Sequence, residues 1–281
     1  MVGRRGATRP VRVERHRGKE RVRARDAVAV EEPLEIRVAW GDAGRQRTSE
    51  AVAVTMRTPG DDFDLVAGFL HGEGLVREAP HLGEMTYCRG GDEQRYNVVE
   101  ARLRPGLPFD GERLRRNFYT SSSCGVCGKA SLESVEAQGC VPLPGGFTVD
   151  GALLPRLPGV LEEGQGAFQR TGGLHAAGVF DGAGSCLVCR EDVGRHNAVD
   201  KALGHLFLRR ALPASERILV VSGRASFEIV QKAVMAGVPV LVAVGAPSSL
   251  AVELAARFNL TLVGFARDGG CNVYAGEERV A

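Results

Sequence analysis

Two cysteines three positions apart in the stretch SSSCGVCGK, Cys124 and Cys127, have the type and spacing to do chemistry. Serine and glycine on either side leave the sulfurs open, and a stretch of helix-forming composition, KASLESVEAQ, follows and stops at Gly139. A thiol at a helix N-terminus has its thiolate favoured by the dipole: an ordinary cysteine titrates near pH ~8.5, and such placement lowers this to roughly 3.5–7.5. Lys129 adds a positive charge close by. Nucleophilic or redox sulfur chemistry suits the pair better than a metal clamp. A structural zinc needs four soft ligands, and a second CxxC pair exists at Cys186 and Cys189. That pair sits in a strand-like run, CLVC, where positions i and i+3 face opposite sides of a sheet, so core packing is expected of it. Cys88, Cys140 and Cys271 have no partner that the sequence assigns.

The C-terminal half offers a second kind of chemistry. The stretches VSGRASFE and VGAPSSLA each lead from a strand pattern into a helix pattern, and GFARDGGCN follows a third strand pattern. In a parallel sheet such loops emerge together at the carboxyl ends of the strands, where ligands bind. Ser222 and Ser226 in one loop, and Ser248 and Ser249 in the next, open helices whose free N–H groups favour a phosphate. Gly223 allows close approach, and Arg224 and Arg267 could add bidentate charge. His175 follows a glycine pair in TGGLHAAGVF, and His196 lies in REDVGRHNAVDKALG at a polar strand-to-helix junction; both suit hydrogen bonding to a ligand. Helix capping alone would also explain each serine. GxxxxGK[ST] is absent, so this is not a Walker A loop.

These residues need a frame, and the hydrophobic pattern supplies one. LEIRVAW, EAVAVTM and RYNVVEARL alternate as strands, and DDFDLVAGFLHGEGLV reads as a helix capped by Asp61 or Asp62. From about residue 168 short apolar strands alternate with helices, the pattern of a mostly parallel or mixed sheet covered on both faces. The chain thus divides into a basic, disordered tail (1–27), an α+β region (28–115), the CxxC loop with its helix and a linking excursion (116–167), and an α/β ligand-binding core (168–281). Ten of the first 26 residues are Arg or Lys against three acids, leaving 26 basic and 31 acidic side chains in the rest. Such a tail is read as solvated rather than as a specific nucleic-acid binder. No apolar run is long enough to span a bilayer and no export signal follows Arg4-Arg5, so a reducing cytoplasm is expected.

Taken in order, DLVAGFLHGEGLV, SSSCGVCGK, TGGLHAAGVF, REDVGRHNAVDKALG, VSGRASFEIVQKA, APSSLAVELA and LTLVGFAR resemble the formate dehydrogenase accessory sulfurtransferase family, FdhD, across roughly residues 30 to 275. The resemblance implies a cytidine-deaminase-like α/β domain. It also implies an activity: accepting sulfur from a cysteine desulfurase as a persulfide, and passing it to the bis-guanylyl molybdenum (or tungsten) cofactor destined for formate dehydrogenase. The family's persulfide cysteine falls on Cys124, with Cys127 as companion. Its cofactor-binding stretch falls on Phe265, Ala266, Arg267, Asp268, Gly269 and Gly270. A homodimer and no structural metal are implied as well. In that last stretch the sequence turns acidic and glycine-rich where a second base is expected, and neither the arginine-rich tail nor CLVC belongs to the family's pattern.

Three rivals stand beside this. A zinc deaminase needs H-x-E and P-C-x-x-C, whereas LHAAG has no glutamate and Ser123 precedes Cys124. A dithiol oxidoreductase would carry its CxxC after the first strand of a thioredoxin-like unit, not mid-chain. A chaperone that only holds the cofactor would show the same loops.

Overall fold

The computed structural model describes residues 6–41, 48–88, 94–105, 140–267 and 269–281; Cys124, Cys127 and Asp268 lie outside the described residues. Among the described residues are a two-stranded ribbon, a four-stranded sheet and a six-stranded sheet.

The six-stranded sheet has the order β12-β11-β10-β9-β7-β8, formed by β7 (His175–Phe180), β8 (Cys186–Asp192), β9 (Ile218–Val221), β10 (Val240–Ala243), β11 (Thr261–Arg267) and β12 (Gly270–Ala275). Its centre, β9-β10-β11, is parallel, while β7, β8 and β12 join antiparallel. The sheet is therefore mixed, with parallel pairing confined to the middle. ILVV and VLVA are buried on both faces, so these strands read as continuous apolar runs. On one face Ala177, Val179, Leu219, Val221 and Leu241 meet helices α4 (Arg195–Leu208), α5 (Phe227–Met235) and α6 (Ser249–Arg257). On the other, Phe180, Ile218, Val220, Val240 and Val242 meet Leu154, Leu157 and Leu161. The last two belong to helix α2 (Leu157–Glu163), which is followed by the single turn α3 (Phe168–Thr171). Residues 154–163 are therefore core rather than part of a linking excursion. Their prolines stand in the first turns of a 3-10 helix and of α2, where no N–H is missed.

The four-stranded sheet, β4-β3-β6-β5, is built from β3 (Glu32–Trp40), β4 (Thr48–Arg57), β5 (Leu82–Tyr87) and β6 (Val98–Leu103), and α1 (Asp62–Gly72) covers it. Leu34, Ile36 and Val38 alternate inward, as the sequence pattern requires. The two units join where α1 crosses α4. A Cβ on Gly68 would collide with the carbonyl oxygen of Asp200, and one on Gly204 with that of Asp64. At these two points backbone meets backbone, so neither glycine can gain a side chain without moving a helix. Gly204→Val is expected to cost about 3 kcal/mol, the upper end of ordinary overpacking, read as a shift of the urea midpoint with the slope unchanged.

The disorder expected of residues 1–27 is corrected for residues 8–27, which form strands; residues 1–5 lie outside the described residues. Strands β1 (Thr8–Arg17) and β2 (Glu20–Ala29) pair antiparallel through a two-residue turn in which Gly18 takes φ 61°. The ribbon is largely exposed, and its base packs through β2 and Ala29 against α3 and Gly173. The facing argument for CLVC is corrected too. CLVC is a strand, but its register shifts so that Cys189 pairs with Gly178 and Cys186 with Phe180, leaving Leu187 as the extra residue. A bulge of this kind puts both cysteines on the α2 side. Burial raises both thiol pKa values, that of Cys189 to about 12, so neither favours a thiolate.

Candidate ligand-binding rim

Because β7 and β8 run antiparallel to one another and β7 antiparallel to β9, the start of β7 and the end of β8 share an edge with the carboxyl ends of β9, β10 and β11. The loops there continue the sheet. Ser222 N donates to Ala176 O (3.0 Å), Gly245 N to Gly223 O (3.0 Å), Ser248 N to Ala225 O (3.1 Å) and Phe265 N to Gly245 O (3.2 Å). This spacing needs glycine: a Cβ on Gly245 would press the Arg224 backbone, and one on Gly264 would press Pro247 and Tyr274. Between this edge and α2 opens a cavity of about 530 Å³, lined among others by Gln165, Phe168, His175, Ser222, Ala266 and Arg267. A second hollow of about 600 Å³ lies along the β11–β12 turn, lined by Phe265, Arg267, Gly269, Gly270, Cys271 and Asn272. Arg267 borders both.

The expected site residues divide into three groups. His175, Ser222, Ala266 and Arg267 line the first cavity, and Gly223 lies against the His175 ring; Phe265, Gly269 and Gly270 border the second. Phe265 is exposed and holds φ 53°, a left-handed conformation that costs a bulky residue of order 1–3 kcal/mol and recurs at ligand sites. Ser248 and Ser249 do not gather here: Ser248 Oγ accepts from Ala251 N (3.3 Å), so it is a helix cap, and both are exposed on neither cavity wall. Ser226 and His196 bond each other, Oγ to Nε2 at 3.1 Å, instead of lining a cavity. Ser222 Oγ accepts from Ala176 N (2.9 Å), which pins β7 to β9. Arg224 is exposed on the rim.

Residues beyond the expected site set stand here, among them Arg195, which the sequence placed only within the polar REDVGRHNAVDKALG junction. Arg195, first residue of α4, forms no hydrogen bond or ion pair among the described residues; its Nε is buried without a partner and its stem lies beside Gly223. Gly194 caps α4 without a side-chain bond, so the N–H groups of that helix stay open to an anion. An arginine set directly between Gly194 and His196 is the signal that could have drawn attention to it. Glu162 lines the cavity from α2 and Gln165 from just beyond its end, in a stretch whose prolines hid the helix.

The charges are set by burial. His175 is held below its ordinary pKa, chiefly by burial and then by the neighbouring Arg195. His196 falls to about 4 for the same two reasons, with Lys232 adding to the shift and Glu228 and Glu73 opposing it. Both rings are neutral hydrogen-bonding groups near pH 7, and the positive charge of the rim belongs to its arginines. The folded value for His196 lies below the ~6.5 of an unfolded histidine. Its contribution to stability is therefore complete above about pH 6.5 and is lost as the pH falls toward 4. With 37% of the side chain exposed, water screens the effect. His196→Gln is expected to flatten, slightly but measurably, the fall of the urea midpoint between pH 6.5 and 4.

Beneath the rim a buried network fixes these positions. Asp192, fully buried, accepts from Thr58 N (3.1 Å), Gly194 N (2.8 Å) and Asn197 Nδ2 (3.0 Å), and pairs with Lys201 Nζ at 2.7 Å. Lys201 also donates to the carbonyls of Thr58 (2.9 Å) and Glu191 (3.2 Å). A second pair, Asp200 with Lys232 at 2.7 Å, lies between α4 and α5. Among the described residues no three His, Cys, Asp or Glu side chains gather in a way that could hold a metal ion, and no helix is long and apolar enough to cross a membrane.

The chain is, as a class, a mixed α/β protein with an arginine-bearing cavity at the carboxyl edge of its larger sheet. Residues 29–281 match the model of the FdhD/NarQ family, and the chain belongs to that family. It is 51% identical over 261 residues, 91% of its own length and 89% of the relative's, to the sulfur carrier protein FdhD of Streptomyces avermitilis. It is 48% identical over 275 residues to the protein of the same name from Mycobacterium tuberculosis, covering 95% of this chain and 96% of that one. The crystal structure of a formate dehydrogenase accessory protein from Desulfotalea psychrophila superposes with a TM-score of 0.75 at 24% identity, covering 98% of this chain and all of that one, a likeness of fold.

Proposed function

We propose that this chain is a cytoplasmic sulfur carrier with sulfurtransferase activity, serving formate dehydrogenase, and that its larger sheet is a variant of the cytidine-deaminase-like architecture. A cysteine desulfurase is the donor. The Cys124 thiolate attacks the terminal sulfur of the donor's persulfide; a Cys124 S–S bond forms, the donor's S–S bond breaks, and the donor leaves as a thiolate with no net change of oxidation state. Cys127 tunes that thiolate or resolves the persulfide. The sulfur then goes to a bis-guanylyl molybdenum (or tungsten) cofactor, which is bound as substrate. Arg195, Arg224 and Arg267 would meet its phosphates, and His175 and Ser222 would hydrogen-bond to it. A homodimer presenting two such sites is part of the proposal.

One observation carries it: over nine-tenths of its length the chain is about half identical to proteins named sulfur carriers. The cavity supports it, since Arg267 lines it and brings a positive charge to its wall. The test is incubation of the purified protein with a cysteine desulfurase and cysteine, followed by intact mass without reductant. A reductant-labile gain of one sulfur atom is expected. No gain from a competent desulfurase would leave a protein that only holds the cofactor.

A further inference from the structure

The two strands of the β1–β2 ribbon are regular over ten residues each, yet among the described residues none of them enters the buried hydrophobic clusters of the two units. A two-stranded ribbon by itself is marginal in water, and this one also opposes like charges. Its register sets Arg12 directly across the ladder from Arg25, an arrangement that destabilises a sheet. Arg21 and Arg23 share that face, because alternate residues of a strand point to one side. Glu14, the acid on the same face, bonds His16 at 2.7 Å, and none of the four arginines has a hydrogen bond or ion pair among the described residues. Arg12, Arg23 and Arg25 border a hollow of about 540 Å³ with Glu14. The reverse face differs: Val11, Val13, Val22 and Val28 interrupt its charge, and Asp26 pairs with Arg15 at 3.3 Å. The base of the ribbon lies beside the cavity of the rim. There β2 packs on α3, and Ala29 Cβ stands 3.8 Å from where a Cβ on Gly173, a residue of the cavity wall, would lie.

We infer that the arginine face of this ribbon is the docking surface for an acidic, extended segment of the protein that receives the carrier's cargo. Arg21, Arg23 and Arg25 recur at every second residue, about 6.6 Å apart, the interval at which alternate carboxylates of an extended segment recur. Each guanidinium offers a carboxylate two parallel hydrogen bonds. Acidic side chains laid along the face neutralise the opposition of Arg12 and Arg25, so the ribbon is firmer with its partner than without it. Nucleic acid is the other polyanion that arginines fit, but phosphate contacts make no use of exposed valines such as Val22 and Val28, which a protein partner covers. The surface is placed for the receiving protein, since a partner held on the ribbon lies next to the wall of the cavity. That this partner is formate dehydrogenase rests on the function proposed above; the docking face rests on the arginines.

The test is biolayer interferometry of the full chain against cofactor-free formate dehydrogenase of the same organism and, separately, against the cysteine desulfurase, with sulfur uptake of each variant read by intact mass. The triple variant Arg12→Ser, Arg23→Ser, Arg25→Ser is expected to bind the formate dehydrogenase about tenfold or more weaker, chiefly through slower association, and with a shallower salt dependence. Its desulfurase binding and sulfur uptake are expected to stay within about twofold of wild type. Arg25→Glu sets an acid opposite Arg12, so its melting temperature is expected to hold or rise while docking weakens about threefold or more. A merely structural ribbon would keep its docking along with its stability. Arg9→Ser with Arg17→Ser, on the reverse face, is expected to change docking by less than about twofold. Undiminished docking by the triple variant overturns the inference, as does an equal loss in the reverse-face variant or a loss confined to the desulfurase. A DNA duplex that binds the arginine face more tightly than the enzyme does at the same salt overturns it in favour of nucleic acid. Wild type that takes up sulfur but does not bind formate dehydrogenase removes the docking face and leaves the carrier. Wild type that docks through these arginines but takes up no sulfur leaves the face and removes the carrier.

Discussion

Asp192→Ala is expected to lower the unfolding free energy by about 3–5 kcal/mol, as removal of one partner from a buried pair does. That is a large share of the ~5–15 kcal/mol that holds a typical domain. The loss has three sources. Lys201, 1% exposed, keeps its charge and loses its only carboxylate within ion-pair distance among the described residues. The N–H groups of Thr58 and Gly194 lose their acceptor, and Asn197 Nδ2 keeps only Met56 O. Thr58 lies after β4 and Gly194 before α4, so the join between the two units and the approach to the rim weaken together. Urea unfolding measures the loss. Asp192→Ala with Lys201→Met should recover part of it, because the stranded charge is gone; the unpaired N–H groups remain. A double variant no better than the single would mean that those N–H groups, not the charge, carry the cost.

Cys124→Ala is expected to take up no sulfur from the desulfurase, whereas Cys127→Ala should retain uptake and alter its pH dependence or the lifetime of the persulfide. The contrast follows from nucleophilicity, since only a thiolate attacks the donor's terminal sulfur. The described thiols are poor substitutes: burial raises the pKa values of Cys88, Cys186 and Cys271, and those of Cys140 and Cys189 reach about 12. The measurement is intact mass of each variant after loading, and restoration of formate dehydrogenase activity in cells lacking their own carrier. Uptake by Cys124→Ala equal to wild type would move the nucleophile elsewhere.

Much of the α/β half was legible because its strands are short apolar runs bounded by glycine and its helices amphipathic; ILVV, VLVA and TLVGFAR fall where the pattern places them. The antiparallel joins at β7, β8 and β12 were not, since a buried strand looks the same whichever way its neighbour runs. The ribbon was hidden by charge. Its alternation VRVER and its turn at Gly18 are strand signals, yet arginine content weighed toward disorder, and the aliphatic stems of those arginines are compatible with an exposed ribbon. The bulge in β8 is a one-residue slip that no spacing rule registers. At the rim the arginines and glycines of the loops were legible by type. The serines were not separable into caps and cavity walls, because both roles use the same hydroxyl. Arg195 stands out by its buried Nε without a partner among the described residues, a property of tertiary structure.

The glycine crossing of α1 over α4 has a mechanical meaning. Interdigitated side chains can slip by a rotamer and absorb a displacement, but carbonyl oxygens seated against bare α-carbons have no such slack. Around the two glycines side chains also bridge the helices, His71 against Phe207 and His205 to Asp64, so α1 and α4 are held as one pair, and α4 begins with Arg195. The four-stranded sheet thereby fixes the backbone from which Arg195, unpartnered among the described residues, extends beside Gly223.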